Sequence, residues 1–308
     1  MTKYIIRRFI GLIPTMFIIV TICFFFIRLA PGGPFDAEKR LPKAIVENLE
    51  RKYHMDEPLL MQYGRYLLDV LRGDLGPSFR YKDFDVNYYI FQALPASMLL
   101  GILALSLALV LGIGVGMISS VRQNTWVDYG AMAAAVFGIT VPLFVIGPVL
   151  MWIFAVRLKW LPVAGWIHDL GPVALILPTV TLAFPYFANI ARLSRASILE
   201  VLRSDYIRTA RAKGLSGITV MFKHVLKGSL LPVVSYLGPA LAGIVTGSIV
   251  VEVIFRVPGL GRYFVNSALN RDYTMIMGTV IVYSVILVFM NFIVDVLYGF
   301  LDPRISYS

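Results

Sequence analysis

Six stretches of this chain run for roughly twenty residues or more without one charged side chain, the length a helix needs to cross a bilayer. They are Phe9–Ile27, Pro95–Val121, Tyr129–Val156, Leu170–Ala191, Gly228–Val251 and Tyr273–Val294. Hydrocarbon offers no partner to backbone N–H and C=O groups, so such a run pairs them internally as a helix. The expectation is an all-α integral membrane protein with six transmembrane helices. With 58% of its 308 residues hydrophobic and 15% charged, the chain carries more apolar surface than a soluble core of its size conceals. Its net charge of +10 is no sign of a nucleic-acid partner, because many Lys and Arg residues flank the apolar runs.

Lys3, Arg7 and Arg8 precede the first run. The run is longer than the core of a signal peptide and no A-x-A site follows it, so it reads as a retained helix ending at the Pro31-Gly-Gly-Pro34 breaker. Cys23, the one cysteine, lies inside it as a small apolar residue without a disulfide partner in the chain. Pro142, Pro148, Pro178, Pro185, Pro232 and Pro239 fall inside later runs, where neighbouring helices and water satisfy the carbonyls they free. Residues 192–227 carry eight Lys/Arg against two acids, Glu200 and Asp205, and an excess of positive charge marks the cytoplasmic side. Both termini and the Arg122–Asp128 connection are then cytoplasmic too. The Ala30–Leu94 connection is external. Its nine Lys/Arg and ten Asp/Glu nearly cancel, as in a small periplasmic subdomain, and helical periodicity shows in Ile45–Tyr53 and Pro58–Leu71. Trp160 and Trp166 belong at the outer interface. The expected organisation is an N-terminal transmembrane helix in 1–29, a periplasmic segment in 30–94, and a five-helix domain in 95–304 carrying the cytoplasmic loop 192–227.

Within that loop, Arg203–Gly214 reads as a short basic helix, far too short to span a bilayer. Asp205 is the expected N-cap, and Gly214 the residue after the helix, where positive φ costs glycine nothing. The residues between make about 12 Å of helix, which lies along a surface where another protein grips it; on residue type alone a solvated loop is the alternative. Enzymatic chemistry leaves no comparable trace. The sequence has no G-x-x-x-x-G-K-[ST], H-E-x-x-H, G-x-S-x-G or cysteine cluster, and His54, His168 and His224 are scattered over both sides. No catalytic, metal or cofactor site is expected. Glu252 and Asp295, near span ends, read as interfacial or paired groups rather than a proton relay. Gly112-x-Gly114-x-Gly116 and Gly243-x-x-x-Gly247 permit close helix approach.

Longer motifs run along nearly the whole chain: Arg28-Leu-Ala-Pro-Gly-Gly-Pro-Phe35, Tyr206-Ile-Arg-Thr-Ala-Arg-Ala-Lys-Gly214, Val257-Pro-Gly-Leu-Gly261, Asn270-Arg-Asp-Tyr273 and Asp302-Pro303. In these the sequence resembles the permease subunits of binding-protein-dependent ABC importers, in the oligopeptide and dipeptide branch, and most of all its B-type oligopeptide permease. The resemblance implies a type I ABC importer permease fold in a bacterial inner membrane, forming half of an oligopeptide translocation pathway. It implies a homologous second permease subunit, two ABC ATPase subunits that bind the ATP, and a periplasmic peptide-binding protein. It also implies a coupling helix seated in a cleft of the ATPase. That role falls on Asp205, Tyr206, Arg208, Ala210, Arg211 and Gly214, with Ala210 small enough for close approach and the two arginines sharing a face. Pro258, Gly259, Gly261, Arg271 and Asp272 fall on the outer connection toward the binding protein, where the proline and glycines favour a tight turn. The wider superfamily writes its loop Glu-Ala-Ala, three residues, Gly; here Arg208-Thr-Ala210 stands in the first three places, so the acidic contact does not carry over. Other cargoes within the class are dipeptides, nickel chelates or another small solute. An ion-coupled secondary transporter would show inverted repeats, and a membrane-embedded enzyme a constellation of reactive groups; neither is evident.

Overall fold

The computed structural model describes residues 2–29, 51, 53–81 and 84–301. The Pro31–Pro34 breaker, Asp302-Pro303 and nearly all of Ile45–Tyr53 lie outside the described residues. Among the described residues ten helices carry the fold: α1 Thr2–Leu29, α2 Leu59–Leu71, α3 Val86–Val121, α4 Trp126–Thr140, α5 Leu143–Leu150, α6 Ile176–Leu202, α7 Asp205–Ala212, α8 Leu231–Phe255, α9 Leu260–Asn270 and α10 Tyr273–Leu301. Single turns join several of them. By length and composition α1, α3, α10 and the segment Pro172–Leu202 each suffice to cross a membrane, and two bent pairs supply the third and fifth crossings.

The third span expected within Tyr129–Val156 is sharply broken. α4 meets the segment Leu143–Arg157 at 112°. Val141 precedes Pro142, whose ring excludes it from the helical region, and it sits at φ −85°, ψ 124°. Beyond α5 the chain continues as a π-helical stretch, Met151–Arg157. The fifth crossing bends by 53° between Gly217–Ser229 and Leu231–Ile244, where Pro232 has no N–H to donate back across the joint. α3 starts well before the boundary expected at Pro95 and runs through that proline. Its 36 residues make about 54 Å of helix, against a hydrocarbon core of about 30 Å.

Three apolar clusters hold these helices together. The central one joins Leu100, Ala104 and Ala108 of α3, Leu182 and Ile190 of α6, and Ile244 and Val251 of α8. The contact between α3 and α6 is the most extensive in the molecule. A Cβ at Gly116 would lie 2.6 Å from Ser194 Cβ and 2.7 Å from Ala191 O, whereas Gly114 faces open space. Of that glycine triplet, Gly112 and Gly116 thus set the helix spacing. An outer cluster joins Val86, Ile90 and Ala93 of α3 to Leu75, Leu260, Tyr263 and Met275. α2 folds as the Pro58–Leu71 periodicity predicts and leans on the end of α1. Thr21 Oγ1 and Tyr63 OH are 2.5 Å apart, Arg28 donates to Gln62 Oε1, and the Phe24 ring lies 5.3 Å from that of Tyr63 and 5.7 Å from that of Tyr66. Burial in this wedge, reinforced by the Cys23 thiol, pushes the Tyr66 phenol above its ordinary pKa.

The third cluster lies under α7, from Ile198 of α6, Ile207 and Ala210 of α7, and Val220 and Val225 after it. The start of α1 and the later part of α10 belong to this end of the molecule. Gly238, early in α8, packs against Asn291, late in α10, and Arg8 of α1 pairs with Asp295 of α10 at 3.1 Å. At the opposite end Gly165 donates its N–H to Phe255 O.

Candidate functional site

α7 is a helix of eight residues with a defined start and stop. Its N-cap is Ser204 (φ −73°, ψ 153°), not Asp205 as expected, and the Ser204 hydroxyl turns back to Val201 O at 2.6 Å. Asp205 is the first helical residue, where its charge complements the helix dipole, and it accepts from Arg208 Nη1 at 3.2 Å. The stop follows the sequence expectation. Gly214 has φ +78°, its N–H reaches Arg211 O at 2.9 Å, and Leu215 N–H reaches Ala210 O at 3.4 Å. These two bonds are the Schellman pattern, which satisfies carbonyls the helix end would otherwise leave open.

The faces of α7 sort the six expected residues. Asp205, Arg208, Arg211 and Gly214 are exposed. Ala210 is only 6% exposed and, with Ile207, is packed into the third cluster. The expectation that Ala210 lets an ATPase approach closely is thereby corrected: its small side chain lets α7 approach its own protein. Tyr206 is half-exposed, and its hydroxyl occupies the space a Cβ on Gly228 would need. Thr209, exposed between the arginines, completes the outward face; the sequence reading passed over it because a threonine carries no charge. Beside α7 lies an open groove of ≈ 700 Å³ lined by Val121, Arg122, Leu202, Arg211, Ile218 and Phe222 among others.

At the opposite end, Pro258 and Arg271 are partly exposed, whereas Gly259, Gly261 and Asp272 are buried. The glycines are not there for positive φ, since Gly259 sits at φ −96°. Their hydrogens face Glu252. A Cβ on Gly259 would collide with its carboxylate, and one on Gly261 would lie 2.8 Å from Oε2 and 2.6 Å from Ile249 Cα. Glu252 is fully buried and accepts the Gly261 N–H at 2.7 Å, while Ser97 Oγ of α3 accepts the Leu260 N–H at 2.9 Å. The α8–α9 turn is thus a latch closed on a carboxylate. Asp272, expected on the binding-protein side, is likewise enclosed. It accepts from Ser78 Oγ, from Phe79 N–H at 3.2 Å, from Thr274 Oγ1 at 3.1 Å and from Met275 N–H at 3.2 Å, capping α10 and tying the 78–79 loop to it. Of the five residues expected on this loop, only Pro258 and Arg271 offer surface to a partner.

Three comparisons give this geometry a context. Residues 108–307 match the family model described as binding-protein-dependent transport system inner membrane component, and residues 1–98 match that of its N-terminal part. The oligopeptide transport system permease protein OppB of Salmonella typhimurium is 48% identical over 307 residues, covering 100% of both chains. The dipeptide transport system permease protein DppB of Bacillus subtilis is 45% identical over 306 residues, covering 99% of this chain and 98% of its own. Among solved structures, an inward-facing conformation of the MetNI methionine ABC transporter aligns with a TM-score of 0.56 at 18% identity, over 70% of this chain and 97% of that one. An amino acid ABC transporter aligns with a TM-score of 0.52 at 16% identity, over 68% and 93%. At such identities the likeness is one of fold.

Proposed function

Since the chain belongs to the family of binding-protein-dependent transport system inner membrane components, we propose that it is the permease subunit that forms half of the pathway of an ATP-driven oligopeptide importer. The observation that carries this reading is end-to-end similarity to oligopeptide permeases. In that reading α7 is the coupling helix. Its exposed Asp205, Arg208, Thr209 and Arg211 meet a separate ATPase, its buried Ile207 and Ala210 hold it to the permease, and the α7 end with both termini is cytoplasmic. A second permease completes the pathway, two ATPase subunits bind and hydrolyse ATP, and a peptide-binding protein docks from the periplasm near Pro258 and Arg271. Closure of the ATPases draws the coupling helices together and rocks the spans between inward- and outward-facing arrangements about a central cavity.

The test is co-expression with the partner subunits. The purified chain should bring down both ATPases and show no ATP hydrolysis alone, and in liposomes the complex should hydrolyse ATP faster when the loaded binding protein is added. Peptide uptake driven by an ion gradient without ATP would refute the reading. Dipeptide cargo is the second reading, favoured by the similarity to DppB. Stronger stimulation by dipeptides than by longer peptides would select it.

A further inference from the structure

Asp128 stands at the start of α4, where the sequence counts it as part of a short polar connection. It is 1% exposed, and its carboxylate is fully engaged. Arg195 of α6 donates through Nε to Oδ1 and through Nη2 to Oδ2, both at 2.6 Å. Ser119, near the end of α3, donates to Oδ1, and the Asn124 N–H donates to Oδ2 at 3.0 Å. Asn124 turns the corner between α3 and α4 at φ 61°. Donors from α6, from α3 and from the α3–α4 corner therefore converge on one carboxylate of α4. A longer contact, Arg203 Nη2 to Gln123 Oε1 at 3.5 Å, ties the end of α6 to the same corner.

The placement matters because of what hangs from α6. Ile198, one turn beyond Arg195, belongs to the cluster that seats Ile207 and Ala210 of α7, with Met117 of α3 against it. Arg195 is a quarter exposed; partly exposed ion pairs add little to stability and even fully buried ones are commonly replaceable by apolar residues, so stability alone does not account for the pair. What a forked guanidinium–carboxylate contact adds is a fixed mutual orientation.

We propose that Arg195 and Asp128 are positioning residues for coupling: their contact makes α7, α6 and the α3–α4 corner one rigid body, so that displacement of α7 reaches the pathway through α3 and α4. The 53° bend at Leu230 is the joint where that body meets α8. The proposal rests on the permease reading of α7.

The experiment uses the whole complex, with partner permease, ATPases and binding protein, in liposomes. It measures peptide imported per ATP hydrolysed, a ratio independent of how much complex survives preparation, together with Tm in detergent. The variants are Asp128→Asn, Arg195→Lys, which keeps the charge but not the fork, and the double variant Asp128→Asn/Arg195→Gln. The ratio should fall at least fivefold in each single variant while the ATPases still co-purify, and the double variant should be no worse than either single one, as for residues acting as a pair. An unchanged ratio, with or without a lower Tm, would reduce the contact to a structural one and overturn the proposal; multiplicative losses in the double variant would overturn the pairing. A wild-type chain that captures no ATPase would overturn the permease reading itself, and the positioning role with it.

Discussion

Gly214 offers the cleanest perturbation of α7. A Cβ built there meets nothing within 4 Å, so substitution creates no steric conflict with the rest of the protein. The cost lies in the backbone, held at φ +78°. An L-residue in the left-handed region loses about 1–2 kcal/mol, asparagine being tolerated best and β-branched residues worst. Gly214→Asn should therefore cost well under ~1 kcal/mol, Gly214→Ala about 1 and Gly214→Val about 2. Gly214→Asp adds roughly 0.3–1 kcal/mol to the asparagine value, because its carboxylate faces the negative end of the α7 dipole. One to two kcal/mol raises the population lacking the Gly214 and Leu215 bonds by a factor of about 5–30. Gly214 and Leu215 are themselves exposed, so membrane abundance, read by blot, should hold. Peptide uptake and ATPase pull-down should fall in the order Asn, Ala, Val. Wild-type uptake in the valine variant, or an order that follows side-chain charge alone, would show that the left-handed turn does not hold α7 in its working position. Loss of abundance would assign the glycine to folding instead.

Three further outcomes follow from the packing. Gly116→Ala forces a Cβ against backbone atoms of α6 and should lower Tm in detergent, overpacking costing about 1–3 kcal/mol, whereas Gly114→Ala, in open space, should leave Tm level or raise it; equal effects would refute the close approach of α3 and α6. Asp272→Ala removes the α10 cap and leaves the Ser78 hydroxyl and Phe79 N–H without their partner, at about 1–3 kcal/mol, so limited proteolysis from outside should cut faster near residues 72–81; an unchanged cleavage rate would sink that account. Reporter fusions at residue 210 should read cytoplasmic and those at residue 75 periplasmic, and the reverse pattern would overturn the assigned orientation.

The spans were legible because hydrocarbon imposes one rule on every residue of a run, and an unbroken stretch of apolar side chains needs no knowledge of its neighbours. Gly214 was legible for a similar reason: a helix stop of this kind is written in a single residue. The break at Val141 was less visible, since Pro142 interrupts no apolar pattern and a proline within a span kinks more often than it reverses. The early start of α3 was hidden by Asn87, Tyr88 and Gln92, whose polarity suits a soluble segment as well as a helix projecting from the membrane. The sequence places Glu252 near a span end as an interfacial or paired group, Asp272 on an outer connection and Asp128 at the edge of a polar one, and none of these positions announces full burial. What buries them is the arrival of Gly261, Ser78 and Arg195 from distant or turned segments, which no local pattern announces. Ala210 shows the same blindness in reverse, because a small residue fits against either side of a short helix.

The length of α3 has a mechanical consequence. A rod of about 54 Å whose inner end is fastened to α6 at Gly116 and whose outer end is built into the cluster of Leu75, Leu260 and Met275 converts rotation into travel: each degree of tilt carries its outer tip about 1 Å for a helix of that length. The cluster around Leu75, Leu260 and Met275 is therefore carried on the far arm of a lever whose short arm lies beside α7. A tilt of only a few degrees, within the range that packed helices sustain by sliding, would carry that surface sideways by the width of a side chain.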